Sequence, residues 1–316
     1  MTEKIRLGIS ACLLGQEVRY DGQHKRDAFL VDTLGRYVEY VPVCPEVECG
    51  LGVPRESMHL EGSVEAPRLV TTKTGIDHTE RMLSWAQMRI AELEREGLRG
   101  FIFKSKSPSS GMERVKVYNG KGGFSGVTSG LFAGAFQKAF PLLPVEEEGR
   151  LHDENLRENF IERIFALDRY RKGPGTEGTP KSLMRFQATH KLLIMSHQQQ
   201  CARELGRLAA SAQKRGFAET LRAYEDLLLR TLCLKATPAK HTNVLQHIQG
   251  YFKEYLGADE KRELGEIVSA YRAELVPLVV PVTLLRHYTR KYDVEYLKGQ
   301  VYLDPHPLEL KLRNHA

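Results

Sequence analysis

The chain has 316 residues, 41% of them hydrophobic and 27% charged, which allows two cores of ordinary globular composition. Five cysteines are an odd number, which argues against a disulfide framework and fits a reducing compartment. Residues 1–150 hold 20 Lys+Arg and 20 Asp+Glu against totals of 46 and 40, so the whole excess of +6 falls after residue 150 and points to a polyanionic partner for that half.

The opening MTEKIRLGIS carries charge where a secretory signal is continuously apolar. The longest apolar run, LVPLVVPVTLL (275–285), is short and broken by prolines, so no membrane span is expected and the protein is read as cytoplasmic. In chain order, KIRLGIS (4–10) and YVEYVPV (37–43) read as short buried strands. HTERMLSWAQMRIAELEREG (78–97) has helical spacing, with Asp77 as N-cap and Gly97 as stop. LRGFIFK (98–104) reads as a third strand, SGLFAGAFQKAF (129–140) as a helix and LLPVEE (142–147) as a fourth strand. Alternation of this kind predicts an α/β domain, a mainly parallel sheet flanked by helices, over residues 1–150. After it, DENLRENFIERIFALDRYRK (153–172) is periodic, GPGTEGTP (173–180) breaks the pattern, and nearly everything from 181 to 271 is compatible with helix. Residues 151–316 are therefore expected to form an all-α helical bundle, with Cys201 and Cys233 as small buried hydrophobes on its helices.

Cys12 follows the first strand, Cys44 the second, and the polar loop KSKSPSSG (104–111) the third. If these strands are parallel neighbours, all three segments leave the sheet at one carboxyl edge, where open α/β sheets bind ligands. Converging thiols suit a soft metal centre, zinc or iron–sulfur, although the only close pair, Cys44 and Cys49, is spaced C-x4-C rather than as a zinc knuckle. The structural alternative is two packed cysteines and one incidental thiol. Glu46 stands two residues past Cys44 as a candidate acid or base, beside the alternative of a solvated loop carboxylate. Ser107, Ser109 and Ser110 offer hydroxyls around Pro108, or simply a turn. The segment NGKGGFSG (119–126) lacks the strand-then-helix context of a dinucleotide fingerprint.

The blocks SACLLGQEVRYDG (10–22), VCPEV (43–47), GLGVPRE (50–56) and KSPSSG (106–111) resemble those of the TudS-type thiouracil desulfidases. LPVEEEGRLHDENLRENFIERIF (143–165), HTNVLQHIQGYFKEYL (241–256) and VPVTLLRHYTRKY (280–292) resemble the YbgA-like domain of unknown function. The order resembles the fused desulfidases called RudS, which remove sulfur from 4-thiouridine in tRNA. The resemblance implies a 4Fe–4S cluster with three cysteine ligands and one open iron, releasing hydrogen sulfide without net redox change, so that no nicotinamide or flavin is required. It implies Cys12 and Cys44 as ligands, Glu46 as acid/base and Ser107 as the functional serine. The third ligand of the simple desulfidases falls at Ser110, a poor cluster donor, and the expectation is that Cys49 replaces it.

For a tRNA partner the expected contacts are Arg185, Lys191, Arg203, Lys214, Arg215, Arg286, Arg290 and Lys291, with His287, Tyr288 and Tyr292 interleaved. Lys104 and Lys106 would meet phosphates beside the catalytic loop, and Arg19 and Arg55 belong to the resembling blocks. Two other functions remain open: a desulfidase for free thiouracil-type bases whose helical domain serves assembly, and a non-catalytic RNA-binding protein with a decayed cluster site. The sequence leaves the oligomeric state undetermined.

Overall fold

The structure is a computed structural model that describes residues 4–120, 123–213 and 216–314. It divides into two compact units, Met1–Leu156 and Arg157–Ala316.

In the first unit the described strands are β1 (Ile5–Ser10), β2 (Val38–Val43), β3 (Met58–Gly62), β4 (Pro67–Thr71), β5 (Phe101–Phe103), β6 (Val115–Tyr118), β7 (Phe124–Thr128) and β8 (Val145–Glu147). They form two sheets, ordered β2-β1-β5-β8 and β4-β3-β6-β7. Every pairing in the first sheet is parallel, from Ile5↔Val38 to Ser10↔Val43 and on through β5 to β8. Its strands are the four that the sequence pattern predicts, and the order sets β1 between β2 and β5, which meets the condition for a shared carboxyl edge.

The second sheet is a finding that the strand patterns did not announce. Its β3–β4 and β6–β7 pairs are antiparallel, joined by a parallel β3–β6 pair. In β3 and β7 most positions are partly or fully exposed, so those segments offer little apolar signal.

Among the described residues three α-helices accompany the sheets: α1 (Pro45–Glu48), α2 (Thr79–Arg95) and α3 (Leu131–Ala139). Helix α2 buries Met82, Trp85, Ala86 and Leu93, and α3 buries Leu131, Phe132, Ala133 and Phe136. The spacing of both sets is that of one apolar helical face. Phe101 and Phe103 of β5 meet Phe132 and Phe136 at ring separations of 4.9–6.2 Å. Before α2, Asp77 Oδ1 accepts from the Thr79 amide at 2.8 Å, and beyond it Gly97 takes φ +64°, a helix-stopping geometry costly for any other residue.

The second unit is helical: α4 (Glu154–Tyr170), α5 (Pro180–His197), α6 (Gln199–Ser211), α7 (Phe217–Leu232), α8 (Pro238–Gln249), α9 (Ala258–Arg272), α10 (Val279–Lys291) and α11 (Glu295–Lys298). Thr179 and Thr237 cap α5 and α8 through their side chains, each followed by a proline in the first turn. One apolar cluster runs from Ala166 and Tyr170 to Tyr302 and Leu303. Within it the Glu162 carboxylate accepts from His197 Nε2 at 2.6 Å and from Arg313 Nη2 at 3.2 Å, and Arg313 Nη1 donates to the Tyr302 carbonyl at 2.6 Å. Burial would raise Glu162, but His197 and Arg313 outweigh it and hold the carboxyl at about 2.

The two cysteines of this unit are not core residues. Cys201 is half-buried on α6, and Cys233 is exposed because it caps α7 just past the last buried position, Leu232. Among the described residues no helix is long and apolar enough to cross a membrane.

Candidate active site

The carboxyl edge of the parallel sheet opens into a cavity of about 370 Å³, in the size range of small-molecule sites. Its lining draws on the three segments that the strand order brings together: Cys12 after β1, Cys44 and Glu46 after β2, and Lys104–Pro108 with Ser110 after β5. Cys12 and Cys44 are each 9% exposed and neither is in a disulfide.

Local structure fixes Glu46. Pro45 occupies the first turn of α1, the Glu48 carboxylate accepts from the Cys44 amide at 2.8 Å, and Arg89 of α2 holds Glu48 at 3.1 Å. Glu46 then turns toward the serine loop. Its Oε1 accepts from Ser109 Oγ at 2.5 Å and from Ser107 Oγ at 3.4 Å. Its Oε2 lies 3.7 Å from Cys44 Sγ and 3.8 Å from Arg55 Nη2. Arg55 is anchored independently, donating to the Val18 and Gly52 carbonyls at 3.0 and 3.2 Å.

The serine loop is both a turn and part of the site. Ser107 Oγ accepts from the amides of Ser109 and Ser110, at 3.3 and 3.1 Å. The loop is stapled to the start of α3 by hydrogen bonds from Leu131 and Ala133 to the Pro108 and Ser109 carbonyls, both 3.1 Å. A side chain at Gly130 would press within 2.5 Å of the Ser109 carbonyl carbon, so glycine is what lets the backbones meet there.

Burial pushes the Cys12 thiol up to about 11, with Lys104 partly offsetting it, and the Cys44 thiol up to about 12, where Glu46 adds to the effect. Burial and the Glu46 charge raise Cys49 as well. Glu46 thus acts on all three thiols.

Cys49 does not join the lining. It caps the far end of α1 and its thiol donates to the Glu46 carbonyl at 3.3 Å. Cys44 and Cys49 look adjacent in the sequence, but Cys44 precedes the four-residue α1 and Cys49 follows it, so they stand at opposite ends of the helix. Ser110, the position that the resemblance gives to the third cysteine, does line the cavity and is 3% exposed. No three His, Cys, Asp or Glu side chains among the described residues are grouped to hold a metal ion. The donor set does fit two positions of an iron–sulfur cluster: two buried thiols facing one cavity, each protonated when free and stabilised as thiolate by iron.

Other expected contacts are placed differently. Lys104 does line the cavity, yet its ammonium is bound to the Glu148 carboxylate and to Ser105, so it is not free for a phosphate. Arg19 is paired with Asp21 at 3.3 Å and lies 5.5 Å from the Tyr20 ring centre. In the second unit Arg185 pairs with Glu177, Arg286 with Asp304 at 3.4 Å and Lys291 with Glu260 at 2.8 Å. Tyr288 is buried in the core. Arg286 and Arg290, one turn apart on α10, share a side of that helix. Arg185 and Lys191, six residues apart on α5, diverge by roughly a third of a turn. Lys191, Arg203, His287 and Arg290 are exposed. Lys214 and Arg215 lie outside the described residues.

Sequence reasoning missed Tyr20, Lys25 and the Lys104–Glu148–Ser105 cluster. The Lys25 amide donates to the Cys12 carbonyl at 2.9 Å, which curls the segment after β1 back over the first thiol. Nothing in the local residue pattern signals that fold-back.

Comparisons with known proteins agree with this division. A family model described as 2-thiouracil desulfurase matches residues 7–148, and a second, described as a protein of unknown function (DUF1722), matches residues 191–307. The uncharacterized protein YbgA of Escherichia coli (strain K12) is 31% identical over 153 residues, 48% of this chain and 90% of its own length. The uncharacterized protein YbbK of Bacillus subtilis (strain 168) is 32% identical over 126 residues, 37% of this chain and 78% of its own. A solved [4Fe-4S]-dependent thiouracil desulfidase, TudS, is 31% identical with a TM-score of 0.39, covering 48% of this chain and 95% of that one.

Proposed function

We propose, for a chain that belongs to the 2-thiouracil desulfurase family over its first unit and to the DUF1722 family over its second, that it removes sulfur from 4-thiouridine in tRNA, leaving uridine and hydrogen sulfide. The observation that carries the chemistry is Glu46, held by two serine hydroxyls within one cavity that also presents two buried thiols.

Cys12 and Cys44 would hold a [4Fe–4S] cluster, with Cys49, the remaining cysteine of the first unit, turned from the Glu46 carbonyl to supply the third thiolate. When bound, such a cluster supplies a soft Lewis-acidic iron suited to the thiocarbonyl sulfur. The protein's own groups do the rest. Ser107 and Ser109 donate to Glu46 Oε1, orienting the carboxylate, while Arg55 holds Oε2 from the other side. Glu46 takes a proton from the water that attacks C4 and returns it to the departing sulfur. Thiocarbonyl plus water gives carbonyl plus hydrogen sulfide, so atoms and electrons balance without a nicotinamide or flavin.

The tRNA substrate is supported by the basic excess that falls after residue 150 and by exposed Lys191, Arg203 and Arg290 in the helical unit. A base in tRNA must leave its stack to enter the cavity. A second reading, a free thiobase as substrate, is favoured by the family's own description.

The test is to reconstitute the protein without oxygen and follow the thiouridine absorbance of bulk tRNA beside that of free 4-thiouracil. Loss of the tRNA band supports the first reading. Loss with 4-thiouracil alone supports the second, and loss with neither leaves a non-catalytic RNA-binding protein. Iron content of Cys49→Ala decides the third ligand: a full complement would remove Cys49 from it.

A further inference from the structure

The interior of the second unit holds four polar atoms that meet no hydrogen-bond partner among the described residues: Arg169 Nη1, His190 Nε2, His306 Nε2 and Gln300 Oε1. His190, His306 and Gln300 are only 4%, 5% and 4% exposed, so water does not serve them from outside. Each side chain is fixed through its other polar atom. His190 Nδ1 lies 3.0 Å from the Phe186 carbonyl, and His306 Nδ1 lies 3.5 Å from that of Pro307. Gln300 Nε2 donates to the Ala188 carbonyl at 2.8 Å, and Arg169 Nη2 donates to that of Pro305. Ala188 stands two residues before His190 and Pro305 one before His306, so these anchors draw the four side chains together. The Arg169 charge acts on both imidazoles.

A carbonyl only accepts, so each Nδ1 carries its ring's hydrogen and each Nε2 a lone pair. Burial keeps both rings neutral, His190 at about 3 and His306 at about 4. The four free atoms are therefore three acceptors and one cationic donor. Arg169 is also a largely buried cation with no carboxylate in contact among the described residues. Glu162 is committed to His197 and Arg313, Asp168 to Lys172 at 2.9 Å and Asp304 to Arg286 at 3.4 Å, and all three act on Arg169 only at longer range. A buried cation of this kind calls for an anion.

We propose that Arg169, His190, His306 and Gln300 form a binding site for a small protonated oxyanion of the phosphate class. An anionic oxygen accepts from Arg169 Nη1, and the P–OH groups donate to the imidazole lone pairs and to the Gln300 carbonyl oxygen. A metal cation is repelled by the arginine. Sulfate carries no proton at neutral pH and leaves the acceptors unmatched. The site lies outside the first unit's chemistry and stands whether or not the desulfidase reading does. Two sources supply the same chemistry, free inorganic phosphate and the terminal phosphate of a sugar phosphate.

The test is titration calorimetry of the full chain at neutral pH with inorganic phosphate, sulfate and ribose 5-phosphate. The site requires saturable phosphate binding with Kd below about 1 mM, and sulfate weaker by at least about tenfold. Arg169→Leu should abolish phosphate binding. His306→Leu keeps the arginine but removes an acceptor, and should narrow the gap between the two anions. Lys106→Gln, at an exposed residue lining the first unit's cavity, should change nothing, which separates this site from any phosphate held there. Circular dichroism checks each variant's fold; if Arg169→Leu does not fold, the wild-type preference and the His306 variant still decide. Ribose 5-phosphate binding as tightly as phosphate identifies a terminal phosphate, and its exclusion identifies the free ion. Sulfate equal to phosphate, no saturable phosphate binding, or binding that survives in folded Arg169→Leu overturns the proposal.

Discussion

Both units bury charged groups, but they do so in different ways. In the second unit Glu162, His197 and Arg313 satisfy one another inside an apolar cluster. In the first, Glu46 is held by serines and an arginine while the thiols of Cys12 and Cys44 line open space. A closed network is there to fold; groups facing a cavity are there to meet something. The difference separates a structural core from a chemical one without reference to relatives.

The most severe test of that contrast is Cys44→Ser. It should leave the fold intact, empty the site of iron after reconstitution and reduce desulfuration to background, measured by iron content beside circular dichroism. Next is Glu46→Gln, expected to lower turnover by about 10²–10⁴-fold while iron content stays at the wild-type level. Loss of iron together with turnover would make Glu46 structural and break the comparison.

In the second unit, Arg313→Ala leaves the buried Glu162 without its arginine, with His197 still bonded to it, and should cost about 3 kcal/mol in denaturant unfolding. A cost below about 1 kcal/mol would mean that the network is not structural.

Acid should expose the same unit. Burial, with Arg169 nearby, lowers His190 to about 3, and burial with Arg313 lowers His306 to about 4. Unfolded, both imidazoles titrate near 6.5. Their contribution is therefore complete above pH 6.5 and is lost as pH falls toward 4, about 3 kcal/mol for each group. Unfolding free energies at pH 7 and pH 4.5 should differ accordingly, and His190→Gln should flatten the slope. The smallest effect is expected for Ser109→Ala, which removes one donor from Glu46 and should lower turnover by about tenfold with iron unchanged.

Much of this was legible in the residues, for identifiable reasons. The parallel sheet appeared because segments such as KIRLGIS carry buried apolar side chains at Ile5, Leu7 and Ile9, and the convergence of Cys12, Cys44 and the serine loop followed once the strands were neighbours. The second sheet escaped because strands such as β3 and β7 leave most of their positions partly or fully exposed. Cys49 stands at the far end of α1 with its thiol on the Glu46 carbonyl, outside the cavity lining, a placement that its spacing from Cys44 does not reveal. The capture of Lys104 by Glu148 joins residues 44 apart, and no local pattern encodes a pairing at that distance. Cys233 failed as a core residue by a single position at the end of α7.

The central claim is that the first unit's cavity hydrolyses a thiocarbonyl with Glu46 as the proton carrier. The most direct measurement is the sulfide released per thiouridine consumed, using anaerobically reconstituted protein and its Glu46→Gln variant at equal iron content. The account predicts one sulfide per thiouridine for the wild type and turnover at least about a hundredfold slower for the variant. Equal rates for the two proteins, or thiouridine consumed without sulfide, would contradict it.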